Sequence, residues 1–271
     1  MLPPELIIPH FARFGTEIHT GLIHPRGESK TEILFCSKPR FLFNDPESFD
    51  NTDLSDVIVD DHRYIPIVDK FKYLGSVITR GVTDEQDIDT RILKASNAFG
   101  SLRSSLFGSK HVNISVKGCV YRSVILPILL YGAECWCLTE QLLQKLRMFH
   151  RRCVRSMCNV NRSHTFNLRI TTNELLQQLS LSPIDVYISQ CQMRWAGHVM
   201  RMPWNRLPNK MISSWVRAKR PRGCPSLTYG RSLKKSLLKA GVEMENWTVL
   251  CQDRAGWRNI INSIPSRYQL K

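Results

Sequence analysis

The amino-acid sequence predicts an α+β protein, mainly α: a short strand-containing piece over residues 1–80, then a larger helical region over residues 81–271. Two observations carry that prediction. From Val57 to Ile78 the chain runs through short stretches rich in β-branched and aromatic residues, as strands do. From Asp84 onward the apolar spacing changes to that of a helix face. The charge changes sign close to the same place. Residues 1–90 hold 9 Lys/Arg against 16 Asp/Glu, a balance of −7, and residues 91–271 hold 29 against 7, a balance of +22; together they give the net +15.

Ile33 to Cys36 is a short apolar run, and residues 37–55, with Pro39, Asn44, Pro46, Asn51 and several aspartates, read as a polar loop. Val57 to Val59, Tyr64 to Val68 and Phe71 to Ile78 read as strands, with Gly75 marking a strand end or tight turn. Ile88, Ile92, Ala95, Phe99, Leu102 and Leu106 then form one stripe on a long helix, which Thr83 or Asp84 can cap. A second helix is expected from Ser115 to Cys137, bent at Pro127. A third starts after Thr139 and ends near Cys158, its apolar face formed by Leu142, Leu146, Phe149, Cys153 and Met157. Shorter helices fit Thr172 to Leu179 and Pro183 to Met202. A basic loop region punctuated by Pro203, Pro208, Pro221 and Pro225 follows, and then helices from Ser226 to Ala240 and from Glu245 to Ile264. On the last of these, Trp247, Leu250, Trp257 and Ile261 share a core face, with Asp253, Arg254 and Arg258 as flanking ion pairs.

With 271 residues, 42% of them hydrophobic, the chain can build one large domain or two modest ones and is not compositionally disordered. Its longest strongly apolar stretch, Val124 to Tyr131, contains Pro127 and falls far short of the roughly 20 residues a spanning helix needs. No membrane partner is expected. The N-terminus lacks a basic segment followed by an apolar one, so the protein is expected to be intracellular and not secreted, with its nine cysteines as reduced thiols. The basic excess of the helical region favours a polyanionic partner.

Five stretches occur in one order: Ser29-Lys30-Thr31-Glu32 before Ile33-Leu34-Phe35; Phe71-Lys72-Tyr73-Leu74-Gly75-Ser76; Leu126-Pro127-Ile128-Leu129-Leu130-Tyr131-Gly132-Ala133-Glu134-Cys135-Trp136; Trp195-Ala196-Gly197-His198-Val199-Met200-Arg201-Met202; and Asp253-Arg254-Ala255-Gly256-Trp257-Arg258. In that order they resemble the reverse transcriptases of non-LTR retrotransposons, over about residues 11–262. The resemblance implies that residues 1–80 are the end of a polymerase palm and that residues 81–271 are a thumb-like and C-terminal nucleic-acid-binding region. It also implies RNA-directed DNA synthesis as the parent activity, a template–primer duplex (RNA or DNA) as partner, and the nucleus as location. In the family the paired metal-binding aspartates precede the Lys-Thr-Glu segment. Only 28 residues precede Ser29 here and none is aspartate, so this chain alone is expected to be inactive, with no cofactor of its own. A divalent metal such as magnesium is expected only with the palm. Strands such as Phe71 to Ile78 would then lack sheet partners, a setting in which unpaired edges aggregate.

Lys145, Arg147, Arg151, Arg152 and Arg155, on the helix after Thr139, are the first candidate nucleic-acid site. Arg147, Arg151 and Arg155 lie four apart, so their guanidinium forks can follow a phosphate backbone. Arg217, Lys219, Arg220 and Arg222 form a second, loop-borne cluster suited to backbone contacts. The family often has Gly-Arg-Pro just beyond, where this chain has Gly223-Cys224-Pro225. Other chemistry is poorly supported. Ile58-Val59-Asp60-Asp61 looks like a catalytic hairpin but follows the Lys-Thr-Glu segment, so it reads as a turn between strands. His150, Cys153, Cys158 and His164 could ligate zinc, yet Cys153 falls on an apolar helix face and no metal site is assigned. His198 reads as a ring wedged at a helix contact, with Gly197 allowing close approach. The alternative function is a non-catalytic remnant serving as a nucleic-acid-binding or helical interaction module. Oligomeric state is not legible.

Overall fold

The computed structural model describes residues 20–23, 28, 30–34, 57–60, 62–81, 83–161, 163, 169–217 and 228–269. The chain divides into two compact units, residues 1–86 and 87–271. It is α+β and mainly α, as the sequence predicts.

The first unit contributes β1 (Gly21–Leu22), β2 (Ile33–Leu34), β3 (Val57–Asp60), β4 (Arg63–Ile65), β5 (Ile67–Val68), β6 (Lys70–Tyr73) and β7 (Ser76–Thr79). They form a three-stranded sheet in the order β1-β4-β3, a parallel β2–β5 pair and an antiparallel β6–β7 hairpin. The single strand expected from Tyr64 to Val68 is cut at Pro66, which has no N–H to give. Its two halves join different sheets, and the Pro66 carbonyl accepts from Ile33 N–H at 2.9 Å. The run from Phe71 to Ile78 is likewise two strands. Leu74 and Gly75 both take positive φ, 46° and 88°, as the tight primed turn of a two-residue hairpin requires. β3 ends at Asp60, which is in register with Arg63 across the β3–β4 hairpin; Asp61 lies outside the described residues.

The helices are α1 (Glu85–Ser101), α2 (Ile114–Val120), α3 (Leu126–Leu129), α4 (Glu140–Met157), α5 (Thr172–Gln178), α6 (Ile184–Met200), α7 (Leu207–Arg217), α8 (Tyr229–Lys239), α9 (Trp247–Leu250) and α10 (Arg254–Gln269). Most begin or end where the sequence signals put them. Asn113 Oδ1 accepts from Ser115 N–H at 2.9 Å, Thr139 Oγ1 caps α4 through Leu142 N–H, and Thr171 with Glu174 forms a capping box on α5.

Several expectations need correction. The long first helix leaves α geometry after Ser101 for a π turn over Arg103–Phe107, in which Phe107 N–H bonds back five residues to the Leu102 carbonyl. One residue is thereby inserted into the helical count, so Phe107 is fully buried, stacked 4.4 Å from Phe99, while Leu106 packs only partly buried against the same core. The second helix also widens to a π turn, over Tyr121–Ile125, directly before Pro127, whose ring clashes with the carbonyl four residues back. Its last helical segment, α3, stops at Leu129 and not Cys137. The expected basic loop after Met202 contains a helix, α7, because Pro208 falls in its first turn, where no N–H is needed. The final helix is broken at residues 251–253. Trp247, Trp257 and Ile261 are core but Leu250 is 41% exposed, and Asp253 caps α10 by accepting from Ala255 N–H at 3.0 Å instead of pairing with an arginine.

The second unit has two apolar cores. Ile88, Phe99, Phe107, Tyr121, Ile125, Leu129, Leu142, Leu146, Phe149, Met157 and Leu179 build one; Met193, Val199, Leu233, Leu237, Trp247, Trp257 and Ile264 build the other. α6 runs through both, with Ile184 and Ile188 in the first and Val186, Met193, Ala196 and Val199 in the second. A helix buried on most sides must satisfy its polar side chains internally. Accordingly Gln192 donates to the Trp136 carbonyl and Ser232 and accepts from Ser236, and Gln190 donates to the Ile261 carbonyl. Gly197 lets α10 approach, because a Cβ there would overlap the Trp257 indole, which donates to the Met193 carbonyl at 2.9 Å. Among the described residues no helix is long and apolar enough to cross a membrane.

Candidate nucleic-acid interface

α4 is amphipathic in the manner the sequence predicts. Leu142, Leu146, Phe149, Cys153 and Met157 are all buried, which fixes the opposite face toward solvent. That face carries the basic residues, and the structure sorts them into two groups.

Lys145 and Arg147 serve internal contacts. Lys145 Nζ lies 3.0 Å from both carboxylate oxygens of Asp89. Arg147 donates through Nε and Nη2 to the two oxygens of Asp185 on α6, at 2.9 and 2.6 Å, and through Nη1 to Glu140 at 2.6 Å. Lys239 of α8 adds a second cation 3.5 Å from Asp185. Burial by itself pushes the Asp185 carboxyl up, but the Arg147 hydrogen bonds and the Lys239 charge outweigh it and hold the carboxyl below its ordinary range. The Asp185 hydrogen bond raises Arg147 above the usual guanidinium value in turn. A bidentate pair of this kind joins α4 to α6.

Arg151, Arg152 and Arg155 are different. Arg151 and Arg152 are exposed, Arg155 is half-exposed, and none makes an ion pair or hydrogen bond among the described residues. The Arg152 guanidinium sits 5.6 Å from the Phe149 ring centroid, which limits its sweep without neutralising it. Of the second cluster, Arg217 is the last residue of α7, and Lys219, Arg220 and Arg222 lie outside the described residues.

The buried side of α4 holds a polar chain. His150 Nε2 faces the Ser182 carbonyl at 3.1 Å and must donate to it, so Nδ1 accepts from the Tyr121 hydroxyl at 3.0 Å. Burial pushes the imidazole down to about 4 and the Cys153 thiol up to about 12, so both are neutral near pH 7. Both nitrogens of His150 are occupied, and among the described residues no three His, Cys, Asp or Glu side chains come together as a metal site. His164 lies outside those residues. His198 is exposed on α6, tilted 5.9 Å from Trp195, and not wedged at a helix contact; Gly197 makes room for Trp257 instead.

One charge feature lies beyond these clusters. Residues 186–242 contain twelve Lys/Arg and no Asp/Glu. Arg194 on α6, Arg206 and Lys210 at the α6–α7 junction, and Lys234 and Lys235 on α8 are exposed. Spacing within a single helix does not reveal these cations, since they come from α6, the turn after it, α7 and α8. The acid-free run is their sequence signal.

No protein-family model and no solved structure matches the chain. It is similar to an uncharacterized transposon-derived protein of Caenorhabditis elegans, 23% identical over 265 residues that cover 94% of this chain and 86% of the worm protein. The likeness runs through both the strand-bearing and the helical unit, and it ties the chain to transposon-derived sequence.

Proposed function

We propose that this chain is the nucleic-acid-gripping part of a transposon-encoded reverse transcriptase of the non-LTR type: the end of the palm, the thumb and the downstream helices, without the catalytic aspartates. The observation that carries the proposal is the set of exposed Arg151 and Arg152 and half-exposed Arg155, which have no carboxylate partner among the described residues on a helix pinned by its apolar face and by the Arg147–Asp185 pair. Three like charges along a helix repel one another mildly unless an anion meets them. Phosphates at backbone spacing are the anions that guanidinium forks fit. The five motifs in family order and the similarity to a transposon-derived protein agree with this origin. The polymerase metals would bind with an upstream palm, and the nucleus is the compartment in which such a grip would act.

Fluorescence anisotropy with a labelled RNA–DNA template–primer tests the proposal. Saturable binding at low salt, with no primer extension in magnesium or manganese, is the expected result. No binding at low salt would sink it and leave a helical interaction module as the better account.

A further inference from the structure

Trp204 stands apart from the other described tryptophans. Trp136, Trp247 and Trp257 are buried and Trp195 is half-buried, whereas Trp204 is 78% exposed, the most exposed large hydrophobic among the residues whose side chains are described. An indole left in water contributes almost none of the burial energy that justifies so large an apolar side chain. Its backbone is nonetheless held firmly. Trp204 lies in the turn joining α6 to α7, closed by Arg206 N–H bonding to the Pro203 carbonyl at 3.0 Å. Buried Asn209 donates from Nδ2 to the carbonyls of Met202 and Val199, at 2.9 and 3.3 Å, and thereby ties the start of α7 to the end of α6. The ring is thus presented on a rigid corner.

Its surroundings are cationic. Lys210 Nζ lies over the Trp204 ring, 5.5 Å from its centroid, Arg206 is exposed in the same turn, and the acid-free run of residues 186–242 contains the whole corner. Leu207 and Met211, 68% and 42% exposed, extend the apolar surface along α7. A protein partner would need a flat acidic patch to match. An unpaired base with its phosphate supplies a π-face for the indole and a negative charge for the cations in one unit.

We propose that Trp204 is a stacking platform for an unpaired nucleobase, with Lys210 and Arg206 holding the adjoining phosphates, so that the α6–α7 corner binds single-stranded nucleic acid. The proposal rests on the chain's being a nucleic-acid binder and adds to it a second contact point with its own ligand class. Stacking reads the face of a base and not its sugar, so DNA and RNA single strands are both accepted.

The test compares the full chain with its Trp204→Ala and Trp204→Phe variants on labelled oligo(dT), oligo(U) and an RNA–DNA duplex. Trp204→Ala is expected to weaken both single-strand complexes about tenfold, within the range measured for stacking aromatics, and to leave the duplex complex unchanged. Trp204→Phe should retain most of the affinity, and thermal unfolding of all three proteins should coincide because the side chain is exposed. Unchanged single-strand affinity in Trp204→Ala, with wild type still binding the duplex, would overturn this inference alone. Equal losses on single strand and duplex would also overturn it. Failure of wild type to bind any of the probes would remove the general proposal and this one together.

Discussion

Protonation of His150 is expected to destabilise the helical unit as the pH falls from about 6.5 toward 4. The ring lies on the buried face of α4, donates from Nε2 to the Ser182 carbonyl and accepts at Nδ1 from Tyr121. A second ring proton would therefore abolish an accepted hydrogen bond and bury a charge. Burial holds the folded imidazole at about 4 against 6.5 when exposed; the Ser182 carbonyl and the Asp185 charge pull it back up and Arg151 pushes it further down. Because the folded value is the lower one, the stabilisation is fully present above about 6.5. It is lost as pH falls toward 4, where the unfolded chain takes the proton and the folded one does not. The separation of about 2.5 pH units, at 1.36 kcal/mol each, is worth about 3 kcal/mol. Asp185 does not blur this window, since its carboxyl is held below the ordinary range and its contribution is lost only at lower pH. Urea unfolding followed by circular dichroism at several pH values between 7 and 4 reads the slope directly. His150→Gln, whose amide can accept from Tyr121 and donate to Ser182 without titrating, should flatten it. A wild-type protein equally stable at both ends of the window, or a variant with the wild-type slope, would refute the reasoning.

Two further substitutions follow from the packing of α6. Asp185→Asn leaves the partly exposed Arg147 and Lys239 without their shared counter-charge and should cost about 1.5–3 kcal/mol, the range for a hydrogen bond to a charged group, read as a drop in urea midpoint; a loss below about 1 kcal/mol would mean that the pair does not hold α4 to α6. Gly197→Ala places a methyl group against the Trp257 indole and should cost about 1–3 kcal/mol by overpacking, seen as a lowered Tm, whereas an unchanged Tm would contradict the close α6–α10 contact.

The apolar pattern made most of the helical unit legible. All five residues assigned to the buried face of α4 are buried, and the stripe from Ile88 to Phe99 faces the core. Periodicity fails where the backbone changes its own period. The π turn after Ser101 buries Phe107 fully and leaves Leu106 at the edge of the core, and no apolar spacing announces an inserted residue. Prolines were informative in kind but not in consequence: Pro127 widens a helix, Pro208 starts one, and Pro66 divides a strand between two sheets. For the candidate site, sequence placed the arginines on one face but not their partners. Arg147 and Arg151 differ by one helical turn, yet Asp185, 38 residues beyond Arg147, occupies only the first. Tertiary pairing of that kind has no local signature. Trp204 is equally silent in sequence, because exposure is a property of what fails to pack on it.

The central claim is that Arg151, Arg152 and Arg155 grip a phosphate backbone, and the salt dependence of duplex binding tests it most directly. Each neutralised phosphate contributes about −0.9 to the slope of log K against log salt, so three contribute about −2.7. Changing the three arginines together to glutamine should weaken binding to the RNA–DNA duplex and flatten the slope by that amount, with the fold intact because none of the three side chains makes an ion pair or hydrogen bond among the described residues. A triple variant that binds with the wild-type slope would contradict the account and place the grip elsewhere on the molecule.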